Sequence, residues 1–415
     1  MMKKLLALTL AVMMALSLAA CGNSETPATP SAPADGTAEA PGEDSAASAS
    51  GDTIKVGLLA NTTGDNAMYG NAVKNGAMLY FDEVNAAGGV NGKQIEVIAL
   101  DEKGDATEAV TAFNRLLDEG ITALVGSVLT GPTIAVADET YPVNMPQVTA
   151  SATAAGVTMI DPEDPASEIR TNVFRSCFID PFQGEKMAQY AAEKLGAKSA
   201  AVIFETGSDY SVGVKDAFVE KCGELGVEVV AVEGYGKGDV DFKAQMTNIA
   251  SKNPDVVFSP NYYQDDGMIV TQARAAGVTA TFLGGDGWGS VKDYASAEDL
   301  EGSVYCSGYA PGSSDAVKKF EADYQAKYNE AVPNMFAPLG YDAAMLLVEG
   351  LKAAEAAGLK PGTDEYKQAV IDGIKGITGL EGITGSYAFD EYNNPIKSAA
   401  MIKLEDGEEV FTELF

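Results

Sequence analysis

Two short turns rich in hydroxyls and small residues hold the residues best placed to do chemistry: Val125-Gly126-Ser127-Val128-Leu129-Thr130-Gly131-Pro132 and Thr149-Ala150-Ser151-Ala152-Thr153-Ala154. Each follows an apolar run that reads as a buried strand, and a helix-like segment begins at Pro132. If the strands are parallel, both turns lie at their carboxyl ends, the edge at which open α/β sheets bind ligands. Hydroxyls and unpaired N–H groups at a helix start suit an anion. Neither turn contains Lys or Arg, which favours a small carboxylate held by neutral donors over a polyphosphate. Thr130 and Thr153 read equally well as helix caps, and that alternative stays open.

Other chemistries are excluded or disfavoured. The 415-residue chain has no histidine. That removes Ser-His-Asp and Cys-His nucleophiles and any His-ligated metal, so neither an enzyme nor a metal or other cofactor is expected. No Gly-rich loop ends in Gly-Lys-Ser/Thr, and Gly234-Tyr235-Gly236-Lys237-Gly238 lacks dinucleotide spacing and reads as a loop. Asp390 to Asn394 superficially resembles a calcium loop but lacks the remaining ligands, so a hairpin turn is expected there. Beyond Cys21 only Cys177, Cys222 and Cys306 remain, which allows at most one disulfide and forms no zinc motif.

Strand-like and helix-like stretches alternate from Thr53 onward and must position these turns. Strands are expected at 54–59, 95–100 and 121–125 and near Gln147, with helices over 71–85, 107–117 and from Pro132 to Tyr141. The rhythm restarts near Asn172. Helices are expected over 183–195, 212–224, 241–251 and 265–276 between strands at 200–204, 227–232, 256–258 and 280–283. The pattern then turns mainly helical (314–329, 337–357, 363–374) and ends in hairpin-like strands around Asp390 to Pro395. Two similar α/β units predict two doubly wound parallel-sheet lobes with a cleft between them.

The chain opens with a basic Met1-Met2-Lys3-Lys4, an apolar run from Leu5 to Leu16, and Leu18-Ala19-Ala20-Cys21. This is a signal peptide (1–20) with the bacterial lipobox pattern, implying cleavage before Cys21 and a diacylglyceride on its sulfur. Residues 21–52, rich in Ala, Ser, Pro and Thr, form a flexible tether. The expected address is extracytoplasmic, anchored to the cell membrane by lipid. About 360 residues remain, enough for two domains. The formal charge of −32 becomes −34 without Lys3 and Lys4, which argues against nucleic acid as a partner.

Read together, the residues resemble the branched-chain amino-acid-binding family of ABC-transporter substrate-binding proteins, with the type I periplasmic-binding fold. The marks are Tyr69-Gly70, Val84-Asn85-Ala86-Ala87-Gly88-Gly89-Val90-Asn91-Gly92, Val125-Gly126-Ser127 leading to Thr130, and Thr149 to Ala154. They continue with Asp209-Tyr210-Ser211-Val212-Gly213, Gln272-Ala273-Arg274-Ala275-Ala276-Gly277, Gly284-Gly285-Asp286-Gly287 and Phe389-Asp390. The resemblance implies a hinge crossed by the chain three times, dividing it into 53–173 plus 305–386 and 174–304 plus 387–415.

It also implies a site. The α-carboxylate of an amino acid, Leu, Ile or Val favoured, would be held by Thr130, Ser151 and Thr153, and its ammonium by Asp286. Tyr210 and Tyr262 would wall the cleft from the second lobe and Tyr69 and Phe336 from the first. The implied partner is a membrane permease of an ABC importer, and the protein would act as a monomer. The alternative on the same fold is a sensor or uptake protein for an amide or aromatic acid. Two departures bear on specificity: Asp286 stands where the family often has the longer Glu, and the turn Leu129-Thr130-Gly131-Pro132 carries fewer hydroxyls than is usual.

Overall fold

A computed structural model describes residues 53–415 apart from Pro165. The signal segment 1–20, Cys21 and the tether 21–52 lie outside the described residues.

The first sheet has five parallel strands: β1 (Ile54–Ala60), β2 (Ile95–Asp101), β3 (Ala123–Val125), β4 (Gln147–Thr149) and β5 (Val173–Arg175), in the order β2-β1-β3-β4-β5. Central β1 is buried along almost its whole length, whereas edge β2 is half exposed, which is why one reads as an apolar run and the other partly alternates. Between them run α1 (Ala67–Ala86), α2 (Ala106–Asp118) and α3 (Thr130–Thr140). Asp105 fixes the start of α2, its Oδ1 accepting from the N–H groups of Thr107 (2.9 Å) and Glu108 (3.0 Å).

After β5 the chain crosses to a second layer of alternating elements. These are α4 (Asp180–Gln189, continued by a wider π-type turn to Lys194), β6 (Ser199–Glu205), α5 (Asp209–Leu225), β7 (Glu228–Tyr235), α6 (Lys243–Lys252), β8 (Val256–Phe258), α7 (Tyr263–Ala275), β9 (Thr281–Gly284), the short α8 (Ala297–Leu300) and β10 (Val304–Ser307). A second crossing leads to α9 (Asp315–Tyr328), α10 (Phe336–Ala356) and α11 (Asp364–Lys375), then the ribbon β11 (Thr378–Gly382) and β12 (Gly385–Ala388). A third returns the chain to β13 (Ala400–Glu405) and β14 (Glu408–Leu414). The second sheet runs β14-β13-β10-β9-β8-β6-β7, parallel except for β13 and β14. The fold is therefore two doubly wound parallel-sheet lobes joined by a three-crossover hinge, with α10 packed on α1 and against β3 and β4 of the first.

Several boundaries differ from the sequence expectation. The pairings of β5 and β10 carry the first two crossings to just beyond Arg175 and Ser307. The stretch Asp390–Asn394 is a turn, as expected, with Asp390 Oδ1 accepting from the N–H groups of Tyr392 and Asn394 (2.8 Å each), but in place of strands around it a single bridge pairs Phe389 with Pro395. The hairpins lie on either side of it. Helices α1, α3, α5 and α7 begin two to four residues earlier than their apolar periodicity indicates. Their first turns lie at the cleft, where the buried residues do not follow the periodicity of the core-facing stripe.

The contact between α1 and α10 is backbone against backbone. A Cβ at Gly76 would stand 1.8 Å from the Ala337 carbonyl oxygen, and one at Gly340 would stand 2.3 Å from that of Val73. Only glycine at both positions lets the helices meet this closely. Gly340→Ala is expected to force them apart and to cost about 1–3 kcal/mol, the range for overpacking a core. Chemical denaturation measures this, and an unchanged midpoint would show that the contact yields.

Candidate functional site

The carboxyl ends of both sheets face the cleft, and the helix starts that follow them bring the site residues together. From the first lobe come Tyr69 in the first turn of α1, Thr130 opening α3, Ser151 beyond β4 and Phe336 opening α10. From the second come Tyr210 in the first turn of α5, Tyr262 just before α7, and Asp286 beyond β9. With Val128, Leu129 and Gly287 these seven line one narrow, nearly closed cavity. Thr153, the eighth expected residue, is outside the cavity wall. It is buried at the first crossing, its hydroxyl turned toward the Asp180 carboxyl without closing a hydrogen bond, while its carbonyl accepts from Asp180 N–H (3.0 Å).

The loop carrying Ser151 and Thr153 is pinned from behind. Buried Arg175 donates to the carbonyls of Ala152 (2.9 Å) and Ala154 (3.0 Å). Ser151 Oγ donates to the Val128 carbonyl at 2.7 Å, tying the two hydroxyl turns to each other. Among the described residues the Thr130 hydroxyl makes no hydrogen bond, and it stands at the amino end of α3 where the helix dipole favours negative charge.

Asp286 faces it from the other lobe. Its neighbours are glycines because nothing larger fits: a Cβ on Gly284 would lie 2.2 Å from the Trp288 ring, and one on Gly287 would lie 2.1 Å from the Asn261 carbonyl oxygen. The Trp288 indole turns away from the cavity into the core and donates to the Ser259 carbonyl (2.7 Å). Gln183 Oε1 accepts from Asp286 N–H (3.0 Å), and the Tyr210 hydroxyl accepts from Gly287 N–H (3.0 Å). The Asp286 side chain is 2% exposed. Burial pushes its carboxyl up to about 7, against the lowering effect of hydrogen bonds from Tyr210 and Gln183. Among the described residues no Lys or Arg pairs with it. Burial likewise raises nearby Asp180 to about 8, with Asp286 itself contributing.

Aromatic rings close the remaining walls. Tyr210 and Tyr262 stack at 5.1 Å between centroids, and Tyr69 meets Tyr262 edge-on at 5.9 Å and Phe336 at 4.4 Å. Tyr69 is also a latch between lobes, since its hydroxyl donates to the Gly287 carbonyl and accepts from Tyr263 N–H (3.2 Å). The Tyr263 hydroxyl in turn donates to the Asp65 carbonyl (2.8 Å). The lobes are therefore closed on each other.

Gln183, Val128 and Leu129 were not among the expected residues. Nothing in the sequence marks Gln183, which reaches Asp286 only because α4 packs against β10. The two apolar residues stand inside the first hydroxyl turn and read there as spacers. Cys177, Cys222 and Cys306 are buried free thiols, and the described residues contain no group of three His, Cys, Asp or Glu side chains able to hold a metal.

Residues 53–408 match the family model described as periplasmic binding protein. The Leu/Ile/Val-binding protein BraC3 of Rhizobium johnstonii is 30% identical over 362 residues, covering 87% of this chain and 94% of that protein. Among solved structures, the substrate-binding protein LivJ of a branched-chain amino acid transporter from Streptococcus pneumoniae, in complex with isoleucine, superposes with a TM-score of 0.78 at 33% identity, covering 88% of this chain and 99% of that one. The leucine-binding protein LivK from Thermotoga maritima superposes equally well, with a TM-score of 0.78, 31% identity and the same coverage. The match spans both lobes and the hinge between them, and the chain belongs to the periplasmic binding protein family.

Proposed function

We propose that this chain is the extracytoplasmic substrate-binding protein of an ABC importer, a binder and not a catalyst, which captures an α-amino acid between its lobes and delivers it to a membrane permease. The observation that carries the reading is the pairing of opposites across the cavity. Thr130 offers an uncommitted donor at a helix start, and Asp286 offers a buried carboxyl with no cationic partner among the described residues. That polarity fits a zwitterion. A ligand with only a carboxylate, such as an aromatic acid, would leave Asp286 unpaired in a poorly hydrated site. The aromatic walls suit an apolar side chain, and the likeness to Leu/Ile/Val-binding proteins supports a branched one.

In this reading the lobes are 53–173 plus 305–386 and 174–304 plus 387–415, with the first two boundaries moved to Arg175 and Ser307. Thr130 and Ser151 hold the carboxylate. Thr153 supports Asp180 and Asp286 from behind. Tyr210, Tyr262, Tyr69 and Phe336 enclose the rest, and closure brings the two lobes onto one molecule. The lipobox at Cys21 tethers a monomer to the membrane.

Stripped of ligand by refolding, the protein should gain thermal stability with leucine, isoleucine or valine, by about 4 kcal/mol at a thousand times the dissociation constant. Thr130→Ala and Asp286→Asn should each weaken binding, the latter by about 2–5 kcal/mol because a buried charge pair is broken. A flat response to all twenty amino acids sinks the proposal.

The protonation of Asp286 adds a pH signature. Only the ionised carboxyl pairs with an ammonium, so affinity should fall as pH drops below about 7 and hold above it. Calorimetry between pH 5 and 8 should show this slope in the wild type and lose it in Asp286→Asn.

Closure has its own test. Tyr69→Phe removes the hydroxyl that bridges the lobes while keeping the ring. It should raise the dissociation constant roughly fivefold, equivalent to about one hydrogen bond, by lowering the closed population. An unchanged affinity would show that the latch adds nothing to closure.

A further inference from the structure

A second cavity adjoins the first across Leu129 and the Tyr262 ring, which line both. It opens at the mouth of the cleft and holds about 220 Å³, walled by both lobes. Its charge is uneven: Asp65, Glu205, Asp209 and Asp265 face only Lys103 and Lys237. Lys103 is exposed and already pairs with Glu108 at 3.4 Å.

Glu205 is the fixed charge of this cavity. It ends β6 and is 9% exposed, and its backbone N–H is held by Ser211 Oγ (3.0 Å) and Asn261 Oδ1 (2.9 Å). Among the described residues nothing donates a hydrogen bond to its carboxylate, which lines the cavity; Lys237 on the same wall draws on it without closing an ion pair. Partial burial, with Asp265 adding to it, pushes the carboxyl up, so a cation or donor arriving there is favoured. The Tyr262 ring links the two cavities. Its hydroxyl is raised first by burial, then by Asp286 and then by Glu205, so both carboxyls act on the same group from different sides.

We propose that the outer cavity is a subsite for the far end of a longer ligand, an α-amino acid whose side chain passes between Leu129 and Tyr262 and places a terminal ammonium or guanidinium on Glu205. The proposal rests on the amino-acid reading of the inner site. Leu129 and the tyrosine ring offer an apolar passage for methylenes, which a charged head leaves only where a counter-charge waits.

Lysine and norleucine share a side-chain length and differ in the terminal ammonium, so their ratio isolates the subsite. Titrated into the refolded full chain, lysine should bind at least tenfold more tightly than norleucine, and Glu205→Gln should erase that preference while changing leucine affinity less than twofold. Norleucine binding as well as lysine to the wild type would overturn the proposal, and this comparison needs no variant. Equal losses for leucine and lysine in Glu205→Gln would also overturn it, assigning Glu205 a structural role. If leucine, norleucine and lysine all fail to bind, the inner-site reading falls with it. If leucine binds and lysine does not, only the outer subsite falls.

Discussion

A carboxyl sealed between two lobes with no cation beside it is the constraint on which the rest of this structure depends. Transferring an ionised carboxylate out of water without a partner costs several kcal/mol. Asp286 therefore makes closure conditional. With the cleft closed, burial raises its carboxyl to about 7, so a positive group closed in with it favours the ionised form. The glycines around it, the Gln183 amide and the Tyr210 hydroxyl set its position to within a hydrogen bond, but all are neutral and none replaces a counter-charge. A group that resists closure alone and favours it with a cation couples ligand recognition to lobe movement with no further device.

The opposing contribution comes from contacts that join the lobes directly. Tyr69 bridges to Gly287 and Tyr263, Tyr263 to Asp65, and the Asn334 amide to Ser290 (3.1 Å). Each is a single neutral hydrogen bond worth about 1 kcal/mol net. Together they are comparable to the cost of burying Asp286. Two opposed quantities of similar size put the open and closed states within reach of each other, and a ligand's differential affinity can then decide between them.

Much of this was legible in the residue order, and the part that was not has one physical cause. Apolar periodicity reports the face of an element that packs on the core. It therefore revealed β1, β3 and the alternation of strand and helix. It missed the first turns of α1, α3, α5 and α7, because Tyr69, Thr130 and Tyr210 sit there facing the cleft, with Tyr262 just ahead of the last. The helix expected from residue 71 begins at Ala67. The residues that line the cavity stood out by type and motif but lay outside the expected helices. Gln183 left no trace at all, since its role depends on α4 packing beside a strand about a hundred residues away in sequence. Trp288, two residues beyond Asp286, belongs to the core, and the close approach of Gly284 to its ring is visible only in the structure.

The hinge explains why the two halves of the site behave differently. Helix α10 opens at Phe336 in the cavity, and within two turns reaches the pivot. There the Leu339 carbonyl accepts from Ser176 Oγ (2.9 Å), and the Asp342 carboxylate accepts from Ile383 N–H, Thr384 N–H (2.8 Å each) and the Tyr387 hydroxyl (2.9 Å). The Tyr387 hydroxyl also lies 3.2 Å from the Ser176 carbonyl, and Lys397 stands 3.8 Å over the Tyr387 ring. Residues of the first and third crossings are thus tied to one rigid helix of the first lobe. Phe336 stands on the same helix as these pivot contacts, whereas Asp286 and Tyr262 are carried by the second lobe. In the proposed closure the hydroxyl side of the cavity therefore stays with the pivot helix, and the carboxyl side is the part brought to it.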